Sequence, residues 1–274
     1  VRFIILSIDG AILDFKRLDA MASGDSGLHR LDPRAKVLAT LVFIIMVVSF
    51  GRYELAAMLP FFIFPAAIAG FADLPVAYIA KKVALLCPFA LIVGIFNPLF
   101  DREVLIQVGS FDISGGWVSC VSIVIRAALT VGAALVLLAV TGFPAICRAL
   151  ERLGMPPAFA VQLLFLYRYI FVLTEEGGRV ARARELRACG NKGISMKTFG
   201  SMIGFLLLRT WLRAERIHMA MLARGFRGEF YTRHEFSFGL REVVFLFSWS
   251  LLFIILRFNN FSELLGALVT GTLK

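Results

Sequence analysis

Apolar residues run along this chain in blocks that suit a bilayer: Ala35–Phe50, Leu55–Ala72, Val83–Phe100, Trp117–Val140 and Val243–Leu256. Several are shorter than the roughly 20 residues of an average membrane-spanning helix. Lys36, Lys81, Lys82, Arg241 and Arg257 flank them and extend them by snorkelling. The pattern predicts five spans. Pro60, Pro65, Pro88 and Pro98 mark kinks or helix ends, which neighbouring helices tolerate by re-satisfying the freed carbonyls.

Between the fourth and fifth blocks the pattern changes. Residues 143–153 form a short amphipathic piece. Pro156-Pro157 then opens a helix running through AFAVQLLFLYRYIFVL and EEGGRVARARELRACG to a stop near residues 190–193, its front apolar and its rear densely charged. Ser201–Gly228 repeats the design. At 100° per residue, Arg209, Arg213, Arg216 and Arg224 fall within a sector of about 80°, while Phe205, Leu208, Leu212, Met219 and Leu222 cover much of the rest. The helix should end at Gly225, which accepts the left-handed position after a helix terminus, leaving Arg224 in the last turn beside unpaired carbonyls. On spacing alone, a membrane-surface helix whose arginines meet lipid phosphates fits equally well. An alternative topology makes Ala158–Leu173 and Phe199–Leu212 ordinary spans, seven in all, at the cost of placing Arg168 and Arg209 in hydrocarbon.

Hydrophobic residues are 59% of the chain, against about 45–50% in soluble domains, and mean hydropathy is +0.83. The fold class is therefore all-α: a polytopic integral membrane protein of about five transmembrane helices plus long cytoplasmic amphipathic helices. The net charge of +10 would suggest nucleic acid in a soluble chain. In a membrane chain it marks cytoplasmic segments and anionic headgroups, and no base-reading motif is present. Between Thr141 and Gly239, 15 Lys or Arg stand against seven acids, which places that block in the cytoplasm. Five spans then give a cytoplasmic N-terminus and an external C-terminal tail, Phe258–Lys274. The chain divides into residues 1–141, an N-terminal segment with four spans; 142–238, the cytoplasmic helices; and 239–274, the last span and tail.

Candidate chemistry is sparse. Cys87, Cys120, Cys147 and Cys189 are scattered and read as small, mostly buried apolar residues; His29, His218 and His234 lie far apart, so no metal site is indicated. There is no P-loop, nucleophile elbow, HExxH or paired-acid constellation, so the chain is read as non-catalytic and without a cofactor of its own. Arg126 is the only charge well inside an apolar block and reads as a structural pairing between helices, or as a functional group facing a cavity. Asn97-Pro98-Leu99-Phe100-Asp101 reads as a helix stop.

Two segments carry a family resemblance. His29-Arg30-Leu31-Asp32-Pro33-Arg34-Ala35-Lys36, in which Asp32 can cap a helix that Pro33 opens, resembles the lead-in to the first membrane helix of the CbiQ/EcfT family, the transmembrane components of energy-coupling factor (ECF) transporters. Ala220-Met221-Leu222-Ala223-Arg224-Gly225-Phe226 resembles the second Ala-Arg-Gly signature of that family. The spelling is most similar to the cobalt-transport branch. The resemblance implies that Ala223, Arg224 and Gly225 end a coupling helix whose arginine docks on an ATPase. The first signature would fall at Arg187-Ala188-Cys189-Gly190, where Cys189 occupies the arginine slot; either Arg187 takes over or the contact is altered.

The implied partners are two ABC-type ATPase subunits, which would hold ATP and magnesium, and a substrate-binding membrane subunit, with or without a small accessory membrane protein. The implied function is a coupling subunit for cobalt ion import across a bacterial or archaeal cell membrane. Nickel or a vitamin is the alternative cargo. A stand-alone secondary transporter would need repeats and broken helices around a midplane site, and a membrane enzyme would need a nucleophile or base in a recognisable setting; neither pattern is evident.

Overall fold

A computed structural model describes residues 17–24, 26–51, 54–100, 104–108, 111–187, 195–228 and 239–258. The elements are α1 (residues 17–22), α2 (Pro33–Val48), α3 (Leu55–Met58), a 3-10 turn (Leu59–Phe62), α4 (Ile63–Phe71), α5 (Val76–Gly94), α6 (Asn97–Phe100), β1 (Val104–Val108), β2 (Phe111–Ser114), α7 (Gly115–Thr141), α8 (Phe143–Arg152), α9 (Pro157–Arg187), α10 (Met196–Ala223) and α11 (Leu240–Phe258). The fold is all-α apart from one antiparallel hairpin, β1–β2, which pairs Ile106 with Ile113 and Val108 with Phe111. The chain forms two compact units, residues 20–142 with 236–274, and residues 1–19 with 143–235.

In the first of these units, α2 begins as its sequence dictates. Pro33 takes the first helical position, and buried Asp32 accepts a 2.8 Å hydrogen bond from the Arg34 amide. Phe43 of α2 then meets Phe64 at 4.6 Å between ring centres and Phe253 of α11 at 5.4 Å, with Phe61 and Trp249 closing the cluster. Because lipid tails are as apolar as these rings, the drive to associate is close packing rather than burial from water. The face that α7 buries follows the same logic. Ser119, Cys120, Gly132, Ala133 and Ala139 are small enough for backbones to approach, and a Cβ added at Gly94 of α5 would lie 2.9 Å from Cys120 Sγ. Large apolar side chains such as Phe71, Leu85 and Phe89 are exposed instead, as expected where the solvent is hydrocarbon.

Helix directions alternate within this unit. The end of α5 packs on the beginning of α7 through Gly94 and Cys120, while Val83 meets Gly132, so the two are antiparallel. Arg126 of α7 reaches Phe50 just beyond α2, and Val136 and Val140 line a small cavity with Lys36 and Thr40 at its beginning, so α2 and α7 are also antiparallel. Arg257, at the end of α11, donates to the Met46 and Ser49 carbonyls at the end of α2, at 3.5 and 3.1 Å. Hence α2 and α11 run parallel.

Arg126 takes part in the same packing. It donates to the Phe50 and Gly51 carbonyls at 3.1 and 3.3 Å, while Arg257 covers the Phe50 ring at 4.4 Å. Two guanidiniums thus converge on the C-terminal end of α2, where backbone carbonyls lack helical partners and the helix dipole favours cations. This is the helix pairing expected of Arg126, made to carbonyls.

Two sequence expectations are corrected, and the kink-or-end reading of Pro88 is narrowed. Lys81 and Lys82 are not in a connection: α5 starts at Val76 and takes them into its second turn, where Lys82 lies 5.6 Å from the Tyr78 ring centre. Pro88 sits inside the same helix without ending it. The helix stop falls at Gly94 rather than at Asn97–Asp101; Asn97 opens the short α6 and donates a 2.8 Å hydrogen bond to Ser119 Oγ. By contrast, the second apolar block is divided into α3, the 3-10 turn holding Pro60, and α4, which takes in Pro65.

Length and composition qualify α5, α7 and α9 as membrane spans. The other expected spans are helical but fall short for visible reasons. α2 has 16 residues, the second block is divided, and α11 carries Arg241, Glu242 and Arg257 within 19 residues. α9, expected to be a cytoplasmic helix, is apolar enough over its front half to stand with the spans.

Candidate functional site

The second unit is built from α8, α9 and α10. α8 spans the amphipathic piece expected at residues 143–153 and ends at Gly154, whose φ is +113°. Burial pushes the Cys147 thiol of α8 above its ordinary range, which keeps it protonated and inert. Cys120 is buried and Cys87 half-buried, as expected of apolar cysteines; Cys189 lies outside the described residues.

α10 ends where Gly225 predicts. Arg224 is the C-cap, Gly225 has φ +79°, and the Gly225 and Phe226 amides donate at 3.0 Å to the Leu222 and Met221 carbonyls. This is a complete Schellman motif. It corrects one expectation, since these two terminal carbonyls are occupied and do not wait for the Arg224 side chain. Ala223, Arg224 and Gly225 are all exposed. Arg187 is the last residue of α9 and is likewise exposed, whereas Ala188 and Gly190 lie outside the described residues.

The basic stripe of α10 is not uniform. Glu176 of α9, 2% exposed, lies 2.6 Å from Arg209 Nε and 3.3 Å from Arg213. Arg216 donates back to the Leu212 carbonyl of its own helix at 3.1 Å. The upper half of the stripe is thus committed to α9, and Arg224 stands at the helix tip. Sequence reasoning missed Glu176. The available signal was an acid at the border between the apolar and basic halves of α9, opposite a stripe with two arginines one turn apart.

Beside this ion cluster, α9 and α10 line a groove of about 340 Å³, with Phe165, Leu166, Tyr169 and Leu173 on one side and Ala214, Ile217 and Met221 on the other. Falling residue numbers on α9 therefore face rising numbers on α10, so the pair is antiparallel. Arg187 and Arg224 consequently lie at opposite ends of it. Among the histidines, His218 is exposed at the groove, His29 bonds Ser26 Oγ at 2.7 Å and the Met21 carbonyl at 3.1 Å, and His234 lies outside the described residues.

Comparison with known proteins places this geometry in a family. Residues 24–238 match the CbiQ family, described as "Cobalt transport protein". The energy-coupling factor transporter transmembrane protein EcfT of Heliobacterium modesticaldum is 30% identical over 220 residues, 74% of this chain and 81% of the relative. That of Acidaminococcus fermentans is 27% identical over 252 residues, 86% and 93% of the two chains. An uncharacterised protein of Methanocaldococcus jannaschii is 25% identical over 229 residues, 80% of this chain and 78% of its own. The match spans both resemblance segments and the helices between them, and the chain belongs to the CbiQ/EcfT family of transporter transmembrane components.

Proposed function

We propose that this chain is the coupling subunit of an ATP-driven uptake transporter of the energy-coupling factor type, in a bacterial or archaeal cell membrane. The observation that carries the reading is Arg224, exposed on a closed Schellman cap at the tip of a helix whose stripe arginines Arg209, Arg213 and Arg216 are engaged along its length. A guanidinium so presented suits bidentate pairing with carboxylates or carbonyls of a partner. Two ABC-type ATPase subunits supply ATP hydrolysis with magnesium, and a substrate-binding membrane subunit supplies specificity. Arg187 at the opposite end of α9 gives the second ATPase its contact, and Cys189 in the arginine slot of the first signature makes that contact the weaker one. Closure of the ATPase pair moves the two helices, and the motion passes to the substrate subunit. Cobalt ion is the cargo favoured by the family description, with nickel or a vitamin as the competing cargo.

The test is Arg224→Ala in the assembled transporter. Membrane insertion should be unchanged because the residue lies at an exposed helix end, while uptake and transport-coupled ATPase activity should fall severely. Arg187→Ala should be milder. Wild-type uptake by the Arg224→Ala variant sinks the docking role, and purification of the tagged chain without ATPase subunits sinks the coupling reading as a whole.

A further inference from the structure

The ion cluster of α9 and α10 does more than neutralise a stripe. Glu176 is almost fully buried, and a carboxylate in that position is costly unless paired. Arg209 and Arg213 pair it from two successive turns, with side chains 53% and 37% exposed, so one buried acid is gripped from two levels of the facing helix. α10 buries no residue fully, and beside the cluster the two helices share an open groove.

The position of the cluster along the helices is equally informative. Arg187 follows Glu176 by eleven residues, and Arg224 follows Arg213 by eleven. At 1.5 Å per residue each arginine lies about 16 Å along its helix from the cluster. Because the pair is antiparallel, the two arms point in opposite directions.

We propose that Glu176, Arg209 and Arg213 form the pivot of the α9–α10 pair. The cluster ties the two helices together by charge at one level, and it sits between the two ends that carry Arg187 and Arg224. Glu176 is accordingly a positioning residue. Its carboxylate holds both arms in register, so displacement of one end is transmitted to the other instead of being lost in independent bending. The consequence for transport rests on the coupling reading, whereas the pivot itself is a property of this chain and is measured without partners.

The experiment uses the full chain in lipid nanodiscs, with the four native cysteines replaced by serine and spin labels read by pulsed dipolar spectroscopy. One label pair, Leu186→Cys with Met196→Cys, reports on one end of the helix pair; the other, Phe159→Cys with Leu222→Cys, reports on the opposite end. All four positions are exposed. The parent should give a single narrow distance distribution for each pair. Glu176→Gln should broaden both distributions at once, and so should Arg209→Gln with Arg213→Gln, which alters only partly exposed side chains and keeps the test decisive if Glu176→Gln fails to fold. Adding the arginine changes to Glu176→Gln should broaden nothing further, because all three remove one interaction. The exchange Glu176→Arg with Arg209→Glu and Arg213→Glu should restore the narrow distributions. Unchanged widths in the single variants overturn the pivot. Arginine effects that persist undiminished beside Glu176→Gln also overturn it, and assign those side chains to lipid phosphates instead.

Discussion

Asp32 shows how much one residue can settle. It caps α2 through the Arg34 amide, pairs loosely with the Arg34 guanidinium at 3.9 Å, and is 2% exposed. Losing the cap should cost about 1 kcal/mol, and Asp32→Ala should lower the thermal midpoint of the purified chain accordingly. Asp32→Asn keeps a capping oxygen and should recover most of the loss; equal destabilisation by both would assign the effect to charge instead. This cap, like the glycine that ends α10, was legible in the sequence because its physics is local. A short acceptor before a proline and a glycine after an amphipathic run each leave one economical backbone geometry. Glu176 was not legible for the opposite reason. Its partners lie more than thirty residues away, and no periodicity within α9 says which acid will be buried or what will face it.

At the scale of elements, the apolar blocks located the helices but not their ends. Paired lysines interrupt hydropathy and so suggest a connection at Lys81 and Lys82, yet α5 takes both in, with the Lys82 ammonium near the Tyr78 ring. Pro88 was read as a kink or end and is tolerated within α5, whereas Pro60 falls in the 3-10 turn that divides its block. The hairpin β1–β2 had no sequence expectation at all. Packing between elements depended on small residues whose partners only the fold reveals, and the α5–α7 contact tests this. Gly94→Ala places a Cβ 2.9 Å from Cys120 Sγ, with the Cys120 carbonyl oxygen at 3.4 Å and Cα at 3.5 Å. Overpacking of this kind costs about 1–3 kcal/mol, so the thermal midpoint should fall. Gly70→Ala, with nothing within 4 Å of the new methyl, should be neutral or slightly stabilising because alanine is the better helix former. Cys120→Ala should rescue Gly94→Ala by removing the sulfur. A Gly94→Ala variant as stable as the parent would show that the two helices are not held at this contact.

At the scale of the whole molecule, orientation is an expectation from the loop charges, and the helix contacts add a separate constraint on the number of crossings. The loop charges favour a cytoplasmic block at residues 141–239 and therefore a cytoplasmic N-terminus with an external C-terminus. Separately, α2 and α11 run parallel, with Arg257 at the end of one bonded to carbonyls at the end of the other. Parallel first and last spans require an odd total, which constrains the helices between them. With the second block expected to cross alongside α5 and α7, α9 and α10 must either both cross or both stay on one side; α9 cannot then cross alone, although by length and composition it alone of the two qualifies. Pairing of Glu176 with Arg209 and Arg213 lowers the cost of either arrangement, because the charges are matched before lipid is met. The prediction is therefore insensitive to the count. In a background with the native cysteines replaced, Ser262→Cys should react with a membrane-impermeant thiol reagent in intact cells, and Lys192→Cys, between α9 and α10, should separate the two arrangements: reaction only after permeabilisation means that both helices stay inside, and reaction in intact cells means that both cross. Labelling of Ser262→Cys only after lysis would place the C-terminal tail in the cytoplasm and overturn the predicted orientation.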